Sequence, residues 1–274
     1  MSLPDLALQI VYGRLAWALV AAAMLLAILP ALLSKLPVKL AAALNSKNVA
    51  SASDTANATT AANRAHRSVA IVVTAMLILM ALPGAASPAY WLTLVFQYPS
   101  GMLVGFSAVS LYARWHGRAA RFAMPAPVAL PLAIVGLVLY LDAFGVLALG
   151  LYAGGFGAGF APLLACAAAG VSALAIVRGR ATDAAAAVLI GVLPYSLLRL
   201  PSGNLWDALL DPLLWSWALG SVVFVAVRQR AARKAGELAT PAAPSPSPAS
   251  PSPVPETSPL SEPVLAHAAG NDQI

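Results

Sequence analysis

Charged side chains are scarce in this sequence. Only 9% of its 274 residues are Asp, Glu, Lys or Arg, whereas 60% are hydrophobic. A soluble globular domain is about one quarter charged, because it must present a polar surface to water. A chain with so few charges cannot form such a surface, which excludes water as the solvent for most of it. The sequence therefore predicts a protein that lies mainly in a lipid bilayer.

Cysteine, histidine and intramembrane lysine are too few for several kinds of site. The single cysteine, Cys166, excludes an internal disulfide. None of the long apolar runs contains Lys, Glu or His, which excludes a retinal-binding lysine and intramembrane histidine ligands for haem. The three histidines also lack the close spacing of a zinc site. We expect no cofactor and no bound metal.

Motifs of catalysis are missing as well. The sequence has no nucleophile elbow, no phosphate-binding loop and no metalloprotease motif. Asp207 and Asp211 lie four residues apart, and two carboxylates alone are too weak a signature for a metal enzyme. We therefore assign no catalytic residue and do not favour an enzyme.

What the chain does contain is a series of apolar runs of a length suited to membrane helices, since a hydrocarbon core ~30 Å thick needs ~20 helical residues. Seven such runs cover residues 6–33, 68–86, 89–113, 127–149, 158–177, 184–200 and 212–227. The third contains Gln97-Tyr98-Pro99-Ser100-Gly101, where we expect the helix to break or kink because proline removes a backbone donor. Asp211 before Pro212 predicts an N-cap, and residues 205–210 a short helix outside the membrane.

Two polar segments interrupt or follow these runs. Residues 34–67 are rich in Ala, Asn, Ser and Thr, and we interpret them as a flexible cytoplasmic loop. Residues 236–274 are rich in Pro and Ser and have no apolar periodicity, which indicates a disordered tail. The predicted domains are thus a membrane domain over residues 1–235 and a tail over residues 236–274.

The basic residues set the predicted orientation. With the N-terminus outside, 14 of the 16 Lys and Arg residues fall in inner loops or the tail. The outer loops 84–90 and 150–158 hold none. This asymmetry follows the positive-inside rule. The net charge of +6 is therefore explained by the orientation of the chain in the membrane, and we expect no nucleic-acid partner.

These observations together predict an all-α, polytopic integral membrane helix bundle of about seven transmembrane helices. Its N-terminus lies outside and its C-terminus in the cytoplasm. The lipid bilayer is its first partner. The Ala-rich, Lys-poor composition is typical of GC-rich bacteria, so we place it as a multi-pass protein in a bacterial inner membrane.

A layer of polar side chains within the runs is the candidate site. At a rise of ~1.5 Å per residue, Arg14, Gln97 and Asp142 are expected ~10–12 Å below the outer surface. The candidate substrate-binding residues are Arg14, Gln97, Tyr98, Asp142, Tyr195 and Arg199. Intramembrane charges commonly pair and mark functional sites. We expect Asp142 to contact at least one of the two arginines, either as a structural pair or within a site for an anionic or polar solute.

Two functions remain open at this stage. One is a small permease or solute-binding membrane protein with an outward-facing polar pocket. The alternative is a non-catalytic accessory subunit that packs on other membrane proteins through glycine-rich helix faces. The glycines with suitable spacing are Gly101, Gly105, Gly150, Gly154, Gly155 and Gly159.

Overall fold

The computed structural model describes residues 5–33, 54–118 and 123–239, and among these residues it contains α-helices and no β-strand. The helices are α1 (Leu6–Leu33), α2 (Asp54–Ala81), α3 (Pro88–Phe96), α4 (Gly101–Trp115), α5 (Ala126–Ala143), α6 (Leu151–Gly154), α7 (Phe160–Val177), α8 (Thr182–Leu198), α9 (Leu205–Leu209) and α10 (Pro212–Ala239). The all-α prediction is confirmed. The chain divides into a unit over residues 1–230 and a second over residues 231–274, of which the described part is the end of α10.

Four helices of the described part are long and apolar enough to cross a membrane: residues 6–29 of α1, residues 63–81 of α2, all of α5 and all of α7. Large apolar side chains on these helices are exposed, for example Ile71 at 68% and Leu163 at 72%. A water-soluble fold would bury such side chains, whereas lipid accommodates them. The helices therefore indicate a membrane protein.

The predicted break in the third apolar run is confirmed. α3 ends at Phe96 and α4 begins at Gly101, with Gln97–Ser100 between them in non-helical conformation. Ser100 starts α4 as its N-cap, since its hydroxyl oxygen accepts a hydrogen bond from the Leu103 N–H at 3.1 Å. The short helix predicted after the sixth run also exists, as α9.

The prediction of a flexible loop over residues 34–67 is wrong for its second half. α2 begins at Asp54, so residues 54–67 are helical. Alanine is the strongest helix former, and alanines recur through this stretch. The helix of the second apolar run therefore extends N-terminally as far as Asp54. Residues 34–53 lie outside the described residues, and so do residues 240–274 of the predicted tail; residues 236–239 continue α10.

The fourth apolar run is helical over a shorter length than predicted. α5 ends at Ala143, six residues before the expected end at residue 149. Gly145 adopts a positive φ of 74°, and the N–H groups of Gly145 and Val146 donate to the carbonyls of Asp142 and Leu141. This is a Schellman termination, which needs a glycine at the left-handed position. The predicted boundary missed it because apolar residues continue beyond the glycine.

The backbones of α4 and α8 approach each other closely. A Cβ on Gly101 or Gly105 would collide with the backbone of Gly191 or Ala187. Small residues at four-residue spacing on both helices let the backbones meet. Gly101 and Gly105 therefore pack against α8 of the same chain, and Gly155 packs against Asn204 and Trp206. Gly150 and Gly159 have nothing within 4 Å of an added Cβ.

Candidate functional site

The break between α3 and α4 exposes backbone groups that a continuous helix would have paired. α1 supplies partners for two of them. The Trp17 indole N–H donates to the Gln97 carbonyl at 3.2 Å, and the Tyr12 hydroxyl donates to the Pro99 carbonyl at 2.9 Å. An unpaired carbonyl away from water is costly, so these side chains stabilise the open conformation of the segment. Gln97 has a φ of 60°, a conformation that costs a non-glycine residue about 1–3 kcal/mol.

Asp211 completes the support of the break from the opposite side. Its Oδ2 atom accepts a hydrogen bond from the Ser100 N–H at 2.5 Å, and its Oδ1 atom accepts one from the Leu214 N–H at 2.7 Å. The second bond is the predicted N-cap of α10, which is confirmed. A single carboxylate, only 7% exposed, thus binds the N-cap residue of α4 and is itself the N-cap of α10.

The break lies beside a cleft with a volume of about 350 Å³. This cleft is formed by the broken segment, the end of α5, the α6 region and the segment from α8 to α10. It is lined by Val95, Phe96, Gln97, Tyr98, Leu139, Tyr140, Ala143, Phe144, Tyr152, Pro201, Ser202, Trp206, Asp207, Leu210, Asp211 and Pro212. Its volume falls within the usual range for small-molecule sites.

A hydrogen-bond network holds one wall of the cleft in place. Asp207 accepts hydrogen bonds from the Tyr152 hydroxyl at 3.0 Å and from the Ser202 hydroxyl at 2.5 Å. The Trp206 indole N–H donates to the Leu151 carbonyl at 2.8 Å, and the Asn204 amide donates to the Tyr152 carbonyl at 3.3 Å. Burial raises the pKa of Tyr152 to about 12, and the nearby Asp207 carboxylate adds to this shift. Tyr152 is therefore a hydroxyl donor at neutral pH.

Two of the residues predicted as a substrate site line this cleft: Gln97 and Tyr98. The other four do not. Tyr195 is 1% exposed, and its hydroxyl oxygen accepts a hydrogen bond from the Arg199 guanidinium at 2.6 Å. Arg14 is half-buried on α1 and makes no ion pair or hydrogen bond within the described part of the chain. The structure therefore does not bring the predicted residues together as one site.

Asp142 does not form the expected contact with Arg14 or Arg199. Its carboxylate accepts hydrogen bonds from the backbone N–H groups of Leu149, Gly150 and Tyr152 at 2.7–2.9 Å. The depth estimate counted back from residue 149, whereas α5 ends at Ala143. Asp142 therefore lies in the last turn of its helix and orders the loop that follows, instead of being an isolated intramembrane charge.

Several residues of the cleft were not among the predicted site residues, chiefly Tyr140, Tyr152, Trp206 and the two aspartates. Asp207 had a local explanation, since it occupies the first turn of α9, where acidic residues are favoured. The aromatic residues come from separate stretches of sequence, and their meeting depends on the ends of α5 and α8. Of these residues, only Asp207 and Asp211 could be recognised from the sequence, because they form an acidic pair four residues apart.

Some polar groups in the cleft have no partner within the described part of the chain. The Gln97 side-chain amide and the Tyr98 and Tyr140 hydroxyls make no hydrogen bond there, although each residue lines the cleft. These groups can contact a solute without first breaking a protein hydrogen bond. Among the described residues no group of three or more His, Cys, Asp or Glu side chains is placed to hold a metal ion.

Comparison with known proteins adds no family to this description. No protein-family model matches the chain, and neither does any curated protein or solved structure. The structure itself gives the class: an all-α protein with membrane-length apolar helices and a non-helical break beside a largely apolar cleft that holds two carboxylates.

Proposed function

We propose that this protein is a multi-pass inner-membrane protein that binds a small solute in the cleft beside the α3–α4 break, as a small permease or solute-binding protein. The observation that carries the proposal is the break itself. It opens onto a cleft of about 350 Å³ and contributes Gln97 and Tyr98 to the lining. Non-helical backbone at membrane depth is tolerated where it lines a cavity, and broken helices of this kind form the binding sites of many transporters.

The proposed threading follows from the distribution of basic residues. The chain crosses seven times with its N-terminus outside, and α3 with α4 form one discontinuous crossing. In this arrangement the end of α5, the α6 region, α9 and the start of α10 all lie on the outer side. The cleft, which these elements line, then faces outward.

Support for binding comes from the way the broken segment is held. Tyr12, Trp17 and Asp211 take up the backbone groups that the break exposes. The Tyr98 ring packs on Gly13 of α1, whereas the Tyr98 hydroxyl and the Gln97 side-chain amide make no hydrogen bond in the described part of the chain. Backbone strain such as the positive φ of Gln97 is concentrated at functional sites, which supports a binding role for this segment.

The proposal is tested by a solute panel on the purified protein. Cationic, anionic and neutral polar solutes are added in detergent, and the melting temperature is measured. A solute at 100 times its Kd stabilises the folded state by about 2.7 kcal/mol, which gives a measurable rise. The variant Ala143→Trp fills the cleft from an exposed lining position and should abolish this rise.

A matched control separates occupation of the cleft from a general effect of an added indole. Ala173→Trp places the same side chain on an exposed position of α7 outside the cleft and should leave the stabilisation intact. The proposal fails if no solute class stabilises the protein or if Ala143→Trp leaves the effect unchanged. Failure together with a stoichiometric co-purified membrane protein would favour the accessory-subunit alternative.

A further inference from the structure

We propose that the cleft binds an alkylammonium group, carried either by a free organic cation or by a lipid headgroup. This inference rests on the proposed solute-binding function and names its substrate class. It depends on two properties of the cleft: an aromatic lining, and a charge set by two carboxylates with no basic residue among the described lining residues.

The aromatic content of the lining is the first property. Aromatic residues make up 7% of the chain but six of the 16 residues that line the cleft. They are Phe96, Tyr98, Tyr140, Phe144, Tyr152 and Trp206. The faces of aromatic rings attract cations, and sites built from several rings select quaternary and other alkylammonium groups.

The charge of the lining is the second property. Asp207 and Asp211 both line the cleft, and among the residues that the structure describes no Lys, Arg or His does. The hydrogen bonds to Asp207 come from neutral hydroxyls, and those to Asp211 come from backbone N–H groups. Neither carboxylate is paired with a cation in the described part of the chain, so the cleft disfavours anionic solutes and attracts cationic ones. The sequence predicted an anionic or polar solute from the two arginines, whereas the charge of the cleft favours a cationic one.

The two properties together favour an organic cation over a bare metal ion. Mg²⁺ and Ca²⁺ require several oxygen ligands at once, and they keep their water tightly. Here both oxygens of each carboxylate already accept a hydrogen bond, and much of the remaining surface is aromatic. An alkylammonium group carries apolar carbon next to its charge and fits such a surface, while the Gln97, Tyr98 and Tyr140 polar groups can contact the rest of the molecule.

Both sources of the group are compatible with the rim of the cleft. Phe144 and Val95 lie at its edge and are 80% and 71% exposed, as residues facing lipid or a headgroup would be. A free cation would enter from water, whereas an aminolipid would place its headgroup in the cleft and its chains beside the rim. The chemistry that the cleft recognises is the same in each case.

The test measures binding of choline and of 3,3-dimethyl-1-butanol, its uncharged isostere of the same shape, by calorimetry in a maltoside detergent that carries no ammonium group. Choline should bind, and the isostere should bind about tenfold more weakly or not at all. Asp207→Asn should weaken choline binding about tenfold by removing the charge. Phe144→Leu should weaken it less, and this exposed side chain can change without disturbing the fold.

Asp183→Asn is the matched control, because Asp183 is exposed and does not line the cleft; choline binding should be unchanged. A second arm places the protein in nanodiscs of phosphatidylethanolamine or of phosphatidylglycerol. If only the ethanolamine lipid stabilises the protein, and Asp207→Asn removes that effect, the ammonium group comes from lipid. Choline binding in detergent together with equal stability in the two kinds of nanodisc assigns it to a free cation instead.

Two outcomes overturn the inference. Equal binding of choline and its isostere would show that the positive charge is not recognised. Absence of binding in both arms would exclude the ammonium group altogether. An anionic or neutral solute that stabilises the protein, with the effect lost in Ala143→Trp, would overturn the cation assignment but leave the proposed solute-binding function intact.

Discussion

The backbone N–H of Ser100 donates a hydrogen bond to the carboxylate of Asp211, across 111 positions of sequence, at 2.5 Å. The same carboxylate caps α10 through Leu214. The start of α4 and the start of α10 are thus held by one side chain that is 7% exposed. This contact fixes the position of the α3–α4 break relative to the cleft.

Replacing Asp211 with alanine should lower the free energy of unfolding by about 2–4 kcal/mol, because two helix starts lose their acceptor and the Ser100 N–H is left buried without a partner. Denaturant unfolding in detergent measures the change. Asp5→Ala is the control: Asp5 accepts from the Ala7 N–H at 2.7 Å at the exposed start of α1, and its loss should cost much less. Equal losses would show that Asp211 does not join the two helices.

Tyr12→Phe should lower the free energy of unfolding by about 1–2 kcal/mol, because it leaves the Pro99 carbonyl without its hydroxyl donor while retaining the ring. The measurement is again unfolding in detergent. Tyr90→Phe removes a hydroxyl from a residue that is 46% exposed and should have almost no effect. An unchanged stability in Tyr12→Phe would mean that water or another group satisfies the carbonyl.

Gly105→Ala should destabilise the protein by about 1–3 kcal/mol, because the added methyl group meets the α8 backbone at Ala187, which cannot move away as a side chain could. Gly170→Ala on α7 is the control. Nothing lies within 4 Å of an added Cβ there, and alanine should stabilise the helix by up to about 1 kcal/mol. Thermal unfolding of both variants distinguishes a tight crossing from a loose one.

Asp142→Asn and Arg14→Leu should have additive effects on stability, because Asp142 is bonded to the backbone of residues 149–152 and not to an arginine. A double-mutant cycle provides the measurement, and the same cycle with Arg199→Leu should also show no coupling. Recovery of stability in either double variant would show that Asp142 does form an ion pair with that arginine.

Labelling of introduced cysteines should confirm the proposed threading. In a Cys166→Ser background, Val146→Cys after α5 should react with a membrane-impermeant maleimide added outside intact cells. His116→Cys at the end of α4 should react only after the cells are opened. Both positions are exposed in the structure, so access to the reagent depends on the side of the membrane. The reverse pattern would contradict the proposed orientation.

The amino-acid sequence by itself determined that lipid surrounds most of the chain, that the fold is helical, and where some of the helices begin and end. Composition requires lipid around most of the chain, since too few charges are present to form a water-exposed surface. The break at Pro99 and the cap at Asp211 followed from residue types within a few positions of each other. Such effects depend on neighbouring backbone atoms and can therefore be derived along the chain.

The tertiary structure alone decided which polar residues share a site. Counting depth along ideal helices grouped Asp142 with the arginines, but α5 ends at Ala143, so Asp142 instead binds the backbone of the loop that follows. The tight crossing of α4 and α8 and the ends of α5 and α8 brought Tyr98, Tyr140 and Trp206 to one cleft. Contacts between residues distant in sequence depend on how the helices pack, and packing is set by the fit of surfaces that the one-dimensional pattern does not specify.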